Sequence, residues 1–306
     1  MDTVISVERL QRSYGEVPAV RDVTFSVTRG EILGILGPNG AGKTTTVECL
    51  QGLRSRDGGN VEVLGIDPAR EPDRLRRRIG AQLQSAALPD RLRVGEAVAF
   101  FARLQRRSAD VDQVLAAWDL TGLRRRPFAT LSGGQRQRLF LALALLGEPE
   151  VVFLDELTAA LDPSARRATW DLVRRVRDRG ATVVLVTHFM EEAQALCDRV
   201  AIVDDGRVVA LDTPTALTAR SGGDVRVTFS TNGHAVEFLR DLPEVSSVTQ
   251  ADHVVAVTGQ STAPVHIAAA LVARGIVPRD FRTHHPTLED VFLGITGRSL
   301  TAEVPT

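Results

Sequence analysis

With 306 residues and 43% hydrophobic content, the chain is long enough for one large and one small domain, and 37 Lys and Arg against 38 Asp and Glu give no charge excess that would make nucleic acid or anionic lipid its main ligand. The two cysteines, Cys49 and Cys197, lie far apart without CxxC or Cys/His spacing, so disulfide and zinc readings lack support and both are read as reduced packing residues. The start, MDTVISVERL, has no apolar signal core, and apolar runs such as Leu139 to Leu146 fall far short of the roughly 18 residues that span a bilayer; any membrane pathway is expected from another protein.

Strand-length apolar runs at Glu31 to Leu36, Val151 to Leu154 and Thr182 to Val186 alternate with helix-length amphipathic stretches, which predicts an α/β core with a parallel sheet covered by helices. Between Val94 and Leu146 helical periodicity takes over, with Val94 to Gln105, Val111 to Leu120 and Gln135 to Leu146 as the expected helices of an inserted subdomain at about 84–148. Asp204-Asp205-Gly206 between the β-rich runs Val200 to Val203 and Arg207 to Leu211 predicts a hairpin. The chain then turns small and polar from Thr213 to Gly223, which sets the expected domains at 1–218 and 219–306.

Beyond that boundary the order of elements changes. Strands at Val225 to Ser230, Val245 to Thr249, Val254 to Thr258 and Ile276 to Arg282, with helices at Ala235 to Leu242 and Val265 to Arg274, read βαββαβ, a small ferredoxin-like α+β module. A last helix is expected to start at Thr287, with Asp290 completing a capping box.

The chemistry concentrates in the first domain. Gly37-Pro38-Asn39-Gly40-Ala41-Gly42-Lys43-Thr44 satisfies G-x-x-x-x-G-K-[ST] after an expected strand and before an expected helix. A full match by chance should occur in on the order of 1% of such chains, so a bare glycine turn is the weaker reading. Glycines let backbone N–H groups close around phosphates at a helix N-terminus. Lys43, the only lysine, offers a compact charge to the β and γ phosphates where the planar arginine fork has the wrong shape, and the Thr44 hydroxyl would ligate magnesium. Val151 to Leu154 runs into Asp155 and Glu156, which puts two carboxylates at a strand's C-terminal end; Asp155 is the expected magnesium ligand and Glu156 the residue that polarises the attacking water. Arginine clusters at Arg74 to Arg78, Arg103 to Arg107 and Arg124 to Arg126 have no motif spacing and read as solvated helix faces, and the paired His284 and His285 lack metal spacing.

Leu131-Ser132-Gly133-Gly134-Gln135, upstream of the acidic strand, resembles the signature motif of ABC ATPases. Ser132 and the glycine N–H groups open a helix and so offer a second anion-binding helix start, with a plain helix cap as the competing reading. The resemblance implies that this segment closes over ATP held by an opposing subunit, in a head-to-tail homodimer with two nucleotides. It also implies roles for single residues: Tyr14 as the aromatic stacking on adenine, Gln84 as the glutamine contacting magnesium and water, Asp162 as the dimer-contacting aspartate, His188 as the sensor of the γ-phosphate, and Thr45 as a further nucleotide contact beside Thr44. Gln82 rivals Gln84, which is preferred because it follows Ile79-Gly80 after three residues, the family's register. Leu157 stands where many members have Pro, and Ala160 where many have Gly. The run His188 to Ala193 and the run Pro286 to Phe292 resemble the multidrug and daunorubicin-resistance-like exporter branch. That resemblance implies ATP and Mg2+ as cofactors, a separate polytopic permease docking on the helical insert, and a place at the cytoplasmic face of the membrane. The competing readings are a non-transport ABC ATPase acting on ribosomes or DNA, and a P-loop kinase, which has no use for Leu131 to Gln135.

Overall fold

The computed structural model describes residues 2–82, 87–105, 109–158, 161–220, 224–231 and 234–297. Its Cα framework divides into two compact units, Met1–Pro214 and Thr215–Thr306.

The first unit runs β1 (Thr3–Tyr14), β2 (Val17–Thr28), β3 (Ile32–Leu36), α1 (Lys43–Leu50), β4 (Gly58–Val63), α2 (Pro72–Arg76), β5 (Ile79–Gln82), α3 (Val94–Leu104), α4 (Val111–Ala117), α5 (Gly133–Leu145), β6 (Val151–Asp155), α6 (Pro163–Asp178), β7 (Thr182–Thr187), α7 (Met190–Leu196), β8 (Arg199–Asp204) and β9 (Arg207–Asp212). The sheet order is β4-β1-β2-β9-β8-β3-β7-β6-β5. One half is antiparallel, with β2 and β4 flanking β1. The other half is parallel through β8, β3, β7, β6 and β5.

Strands β3, β6 and β7 are buried at every position, which is why their sequences read as continuous apolar runs and not as alternation. Because β7 lies between β3 and β6, the C-terminal ends of three neighbouring strands come out together: one leads to Gly37–Thr45, one carries Asp155, and one leads to His188. Ligands of open α/β sheets are held at this edge. The expected hairpin is β8–β9, turned by Asp205 and Gly206, both in the left-handed region that such turns require. The helical segment holds α3, α4 and α5; Arg124 pairs with Asp112, and on α2 Arg74 and Arg76 pair with Glu71 and Asp73, as solvated faces do.

The second unit contains β10 (Val225–Ser230), β11 (Val245–Ala251), β12 (Val254–Gly259), α9 (Ala263–Ala273), β13 (Arg279–His284) and α10 (Leu288–Thr296), preceded by α8 (Pro214–Arg220). Its strand order β11-β12-β10-β13 is the interleaved order of a ferredoxin-like sheet, antiparallel throughout. Val227, Phe229, Val255, Val257, Ile267 and Leu271 form its core. The helix expected at Ala235 to Leu242 is instead a short 3-10 turn, Glu237–Asp241. Pro243 explains the difference: it drives Leu242 into an extended conformation and leaves no room for further helical turns. Thr287 caps α10, accepting from the Asp290 N–H, while Asp290 accepts from the Thr287 N–H at 2.8 Å.

Candidate functional site

The loop between β3 and α1 is fixed by its glycines and by its neighbours. Gly42 has φ +96°, and a Cβ there would meet the Ala19 carbonyl oxygen at 2.3 Å; one on Gly37 would meet the Val203 oxygen at 2.1 Å. No other residue fits either position. The β8–β9 turn supports the loop from outside, with Gly206 N–H donating to the Ala41 carbonyl at 3.1 Å. The buried Lys43 ammonium donates to the carbonyls of Gly37 at 2.8 Å and Pro38 at 2.9 Å, so the charge lies along the loop. Thr44 is exposed in the first turn of α1, while Thr46 turns inward and donates to the Gly42 carbonyl.

Asp155, at the end of β6, is 5% exposed, and its Oδ1 is buried with no hydrogen-bond partner among the described residues. Burial first, then the adjacent Glu156, pushes its carboxyl up to about 6, against the pull of Lys43. Burial likewise pushes Lys43 down, while Glu156 and Asp155 hold it up. Two carboxylates thus share a buried corner with one ammonium. An orphaned carboxylate oxygen in such a corner suits a hard divalent cation, and the Thr44 hydroxyl is a suitable second oxygen donor.

This arrangement has a pH consequence. An acid raised in the fold binds protons more tightly folded than unfolded, so its contribution to stability is present below its ordinary value of 3.8 and is lost as pH rises through about 6. In magnesium-free, nucleotide-free protein, Asp155→Asn is expected to raise stability at pH 7 by about 1 to 3 kcal/mol, the gain shrinking as pH falls below 6. Thermal melts of both forms across that range check it; a variant less stable than the parent at pH 7 would contradict the burial effect.

Glu156 adopts φ +48°, the left-handed region that costs a residue with a side chain about 1 to 3 kcal/mol unless its surroundings hold it there. Its N–H donates to the Val186 carbonyl at 2.9 Å. The turn brings its Oε1 within 3.3 Å of His188 Nδ1, between β7 and α7. The His188 ring lies against Phe189, centroids 4.1 Å apart. Leu157, the departure from the Pro pattern, is buried in the turn that follows.

Tyr14, 40% exposed, has its hydroxyl 3.4 Å from Thr45 Oγ1 and its ring flanked by the guanidiniums of Arg12 and Arg54 at 5.4 and 5.3 Å. Those two arginines are themselves tied to Asp57 and Glu48. Neither was legible as part of this site, since arginines on β1 and in the loop after α1 meet at the ring only through the fold.

Ser132 and Gln135 form a reciprocal capping box on α5: the Gln135 N–H donates to the serine hydroxyl at 3.4 Å and the Ser132 N–H donates to Gln135 Oε1 at 3.0 Å. Leu131 is buried, Ser132 and Gly133 are exposed, Gly134 is half-buried, and a Cβ on Gly133 would lie 3.3 Å from the Leu161 side chain. Asp162 caps α6, accepting from Ser164 and Ala165 N–H at 2.9 and 3.0 Å. Gln82, the rival glutamine, is buried and accepts from Gln137 of α5 at 2.9 Å, which ties β5 to the helix that follows the signature residues. Gln84 and Ala160 lie outside the described residues. Cys49 and Cys197 are free and buried, and burial pushes the Cys49 thiol up to about 11 and Cys197 up as well.

A parallel sheet edge that joins a lysine-bearing glycine loop to a buried strand-end acid defines a P-loop nucleoside triphosphatase. The family described as "ABC transporter" matches residues 20–159. The chain is 40% identical to a daunorubicin resistance ATP-binding protein of Streptomyces coeruleorubidus over 97% of its own length and 96% of that protein. It is 31% identical to a linearmycin resistance ATP-binding protein of Bacillus subtilis, over 97% and 99% of the two chains. A solved structure of the ATP-binding subunit of an ABC transporter superposes with TM-score 0.64 at 28% identity, covering 72% of this chain and 93% of that one. The chain belongs to the ABC transporter ATP-binding family, drug-resistance branch, and is an ATPase that binds ATP. Among its described residues no helix is long and apolar enough to cross a membrane.

Proposed function

We propose that two copies of this ATPase sandwich two ATP molecules and, through a separate polytopic permease, energise export of a drug-like hydrophobic compound from the cytoplasmic face of the membrane. The observation that carries the pairing is the divided arrangement of anion-binding groups. Gly37–Thr45 with Lys43 form one such group; the capped start of α5 at Ser132–Gly134 forms a second, exposed one that shares no hydrogen bond with the first among the described residues. A second copy turned head to tail brings its α5 start to the phosphates. The cargo class follows the resistance functions in the relatives' names.

Within each site, Lys43 holds the β and γ phosphates, Tyr14 stacks on the adenine, and the loop N–H groups cradle the phosphate oxygens. Magnesium would be held by Asp155, Thr44 and Gln84, and supplies neutralisation of the charge that develops on the phosphate oxygens. Glu156 accepts a proton from the attacking water, and His188, whose Nδ1 lies 3.3 Å from Glu156 Oε1, keeps that carboxylate oriented and senses the γ-phosphate. Asp162 at the head of α6 meets the partner subunit beside its own signature segment.

A hydrolysis-impaired chain with saturating ATP and magnesium is expected to double its mass from 33.1 kDa in light scattering, and to return to a single chain when ATP is removed. A single chain at every ATP concentration counts against the sandwich.

A further inference from the structure

We infer that Glu192 is a positioning residue for hydrolysis, a buried carboxylate that ties the turn after Glu156 to the helix after His188 and so sets the contact between those two side chains. Glu192 lies in α7, one helical turn past His188, and is 0% exposed. Its Oε1 accepts from the Thr158 hydroxyl at 2.9 Å and from the Trp170 indole N–H at 3.1 Å. Thr158 stands two residues beyond Glu156, in the turn whose backbone holds the left-handed conformation of the acid. Trp170 belongs to α6, the helix capped by Asp162. One oxygen therefore joins the segments that carry Glu156, Asp162 and His188.

A second contact runs parallel to it. Arg166, one turn before Trp170 on α6, sits over the Phe189 ring at 4.0 Å, and that ring in turn lies against His188. The His188 segment is thus held to α6 through Phe189 and through Glu192. Glu192 Oε2 is buried with no hydrogen-bond partner among the described residues, so the two bonds to Oε1 carry the tie, and they fix their partners in one geometry where an apolar side chain would let them slide. Burial pushes the Glu192 carboxyl up, and the polar groups of Thr187, Thr158 and Trp170, with Arg166 nearby, hold it down.

This role rests on the assignment of Glu156 as the residue that polarises water, so both are measured together on the full chain. Thr158→Val removes one hydroxyl without changing shape, and Trp170→Phe removes the indole donor. Each is expected to lower kcat about 3- to 10-fold, the rate equivalent of roughly one hydrogen bond, with the KM for ATP close to the parent's and the melting temperature lower by a few degrees. Thr158→Ser should restore the rate, and the double variant Thr158→Val/Glu192→Gln should lose little more than the worse single one. Parental kcat in both Thr158→Val and Trp170→Phe, or a fall shared equally by kcat and ATP affinity, would overturn the positioning role. If Glu156→Gln is inactive while those variants keep full rate, only the role of Glu192 fails; if Glu156→Gln itself turns over normally, the underlying assignment fails.

Discussion

Glu156→Gln is expected to lower ATP turnover by about 10² to 10⁴-fold while leaving ATP binding intact, because the amide keeps the side chain's shape and removes the basic oxygen pair. The geometry favours a large effect. Glu156 stands beside the buried acid of β6, in a left-handed conformation held by the Val186 carbonyl, with its Oε1 aimed at His188. Phosphoryl transfer leaves a protein little to supply beyond position and charge, so removing the group that orients water removes much of what this site adds. Steady-state phosphate release together with equilibrium nucleotide binding checks it; near-parental turnover would remove Glu156 from the mechanism.

Lys43→Ala should raise the dissociation constant for ATP by about 10- to 100-fold, the loss of one hydrogen bond to charged phosphate. The cost to folding should be smaller. Lys43 donates to the Gly37 and Pro38 carbonyls, but its ammonium is buried, and relief of that desolvation offsets part of the lost hydrogen bonds. Calorimetric titration with ATP, read beside a melting curve, separates binding from folding. Unchanged affinity in a folded variant would contradict the phosphate-loop assignment.

Much of the site could be read from the chain because phosphate binding demands particular residues at fixed spacing, whatever surrounds them. Gly42 must be glycine where its φ is +96°, and a lysine must follow it for the charge to reach back along the loop. The antiparallel half of the sheet was hidden. β1 pairs with β2 and β4 through repeated register shifts, and Arg9 takes a left-handed conformation within it, so apolar and polar positions lose the two-residue alternation that marks a half-buried strand.

The helical periodicity of Ala235 to Leu242 does not produce a helix because the single proline that follows it forces Leu242 into an extended conformation. Contacts between distant residues were hidden for another reason. Nothing local in Gln82, Gln137, Thr158 or Trp170 marks them as partners, and only the fold brings Gln82 to Gln137 and both Thr158 and Trp170 to Glu192. Glu192 alone carried a signal, in its place within the run from His188 to Ala193, though the run does not say that its carboxylate faces inward.

Purification of Glu156→Gln in ATP from its detergent-solubilised native membranes, followed by identification of what accompanies it, tests the transporter reading most directly. A polytopic membrane protein in stoichiometric amount is the predicted result. Ribosomal or DNA-bound companions without any such membrane protein would contradict it and point to a mechanical clamp built on the same ATPase.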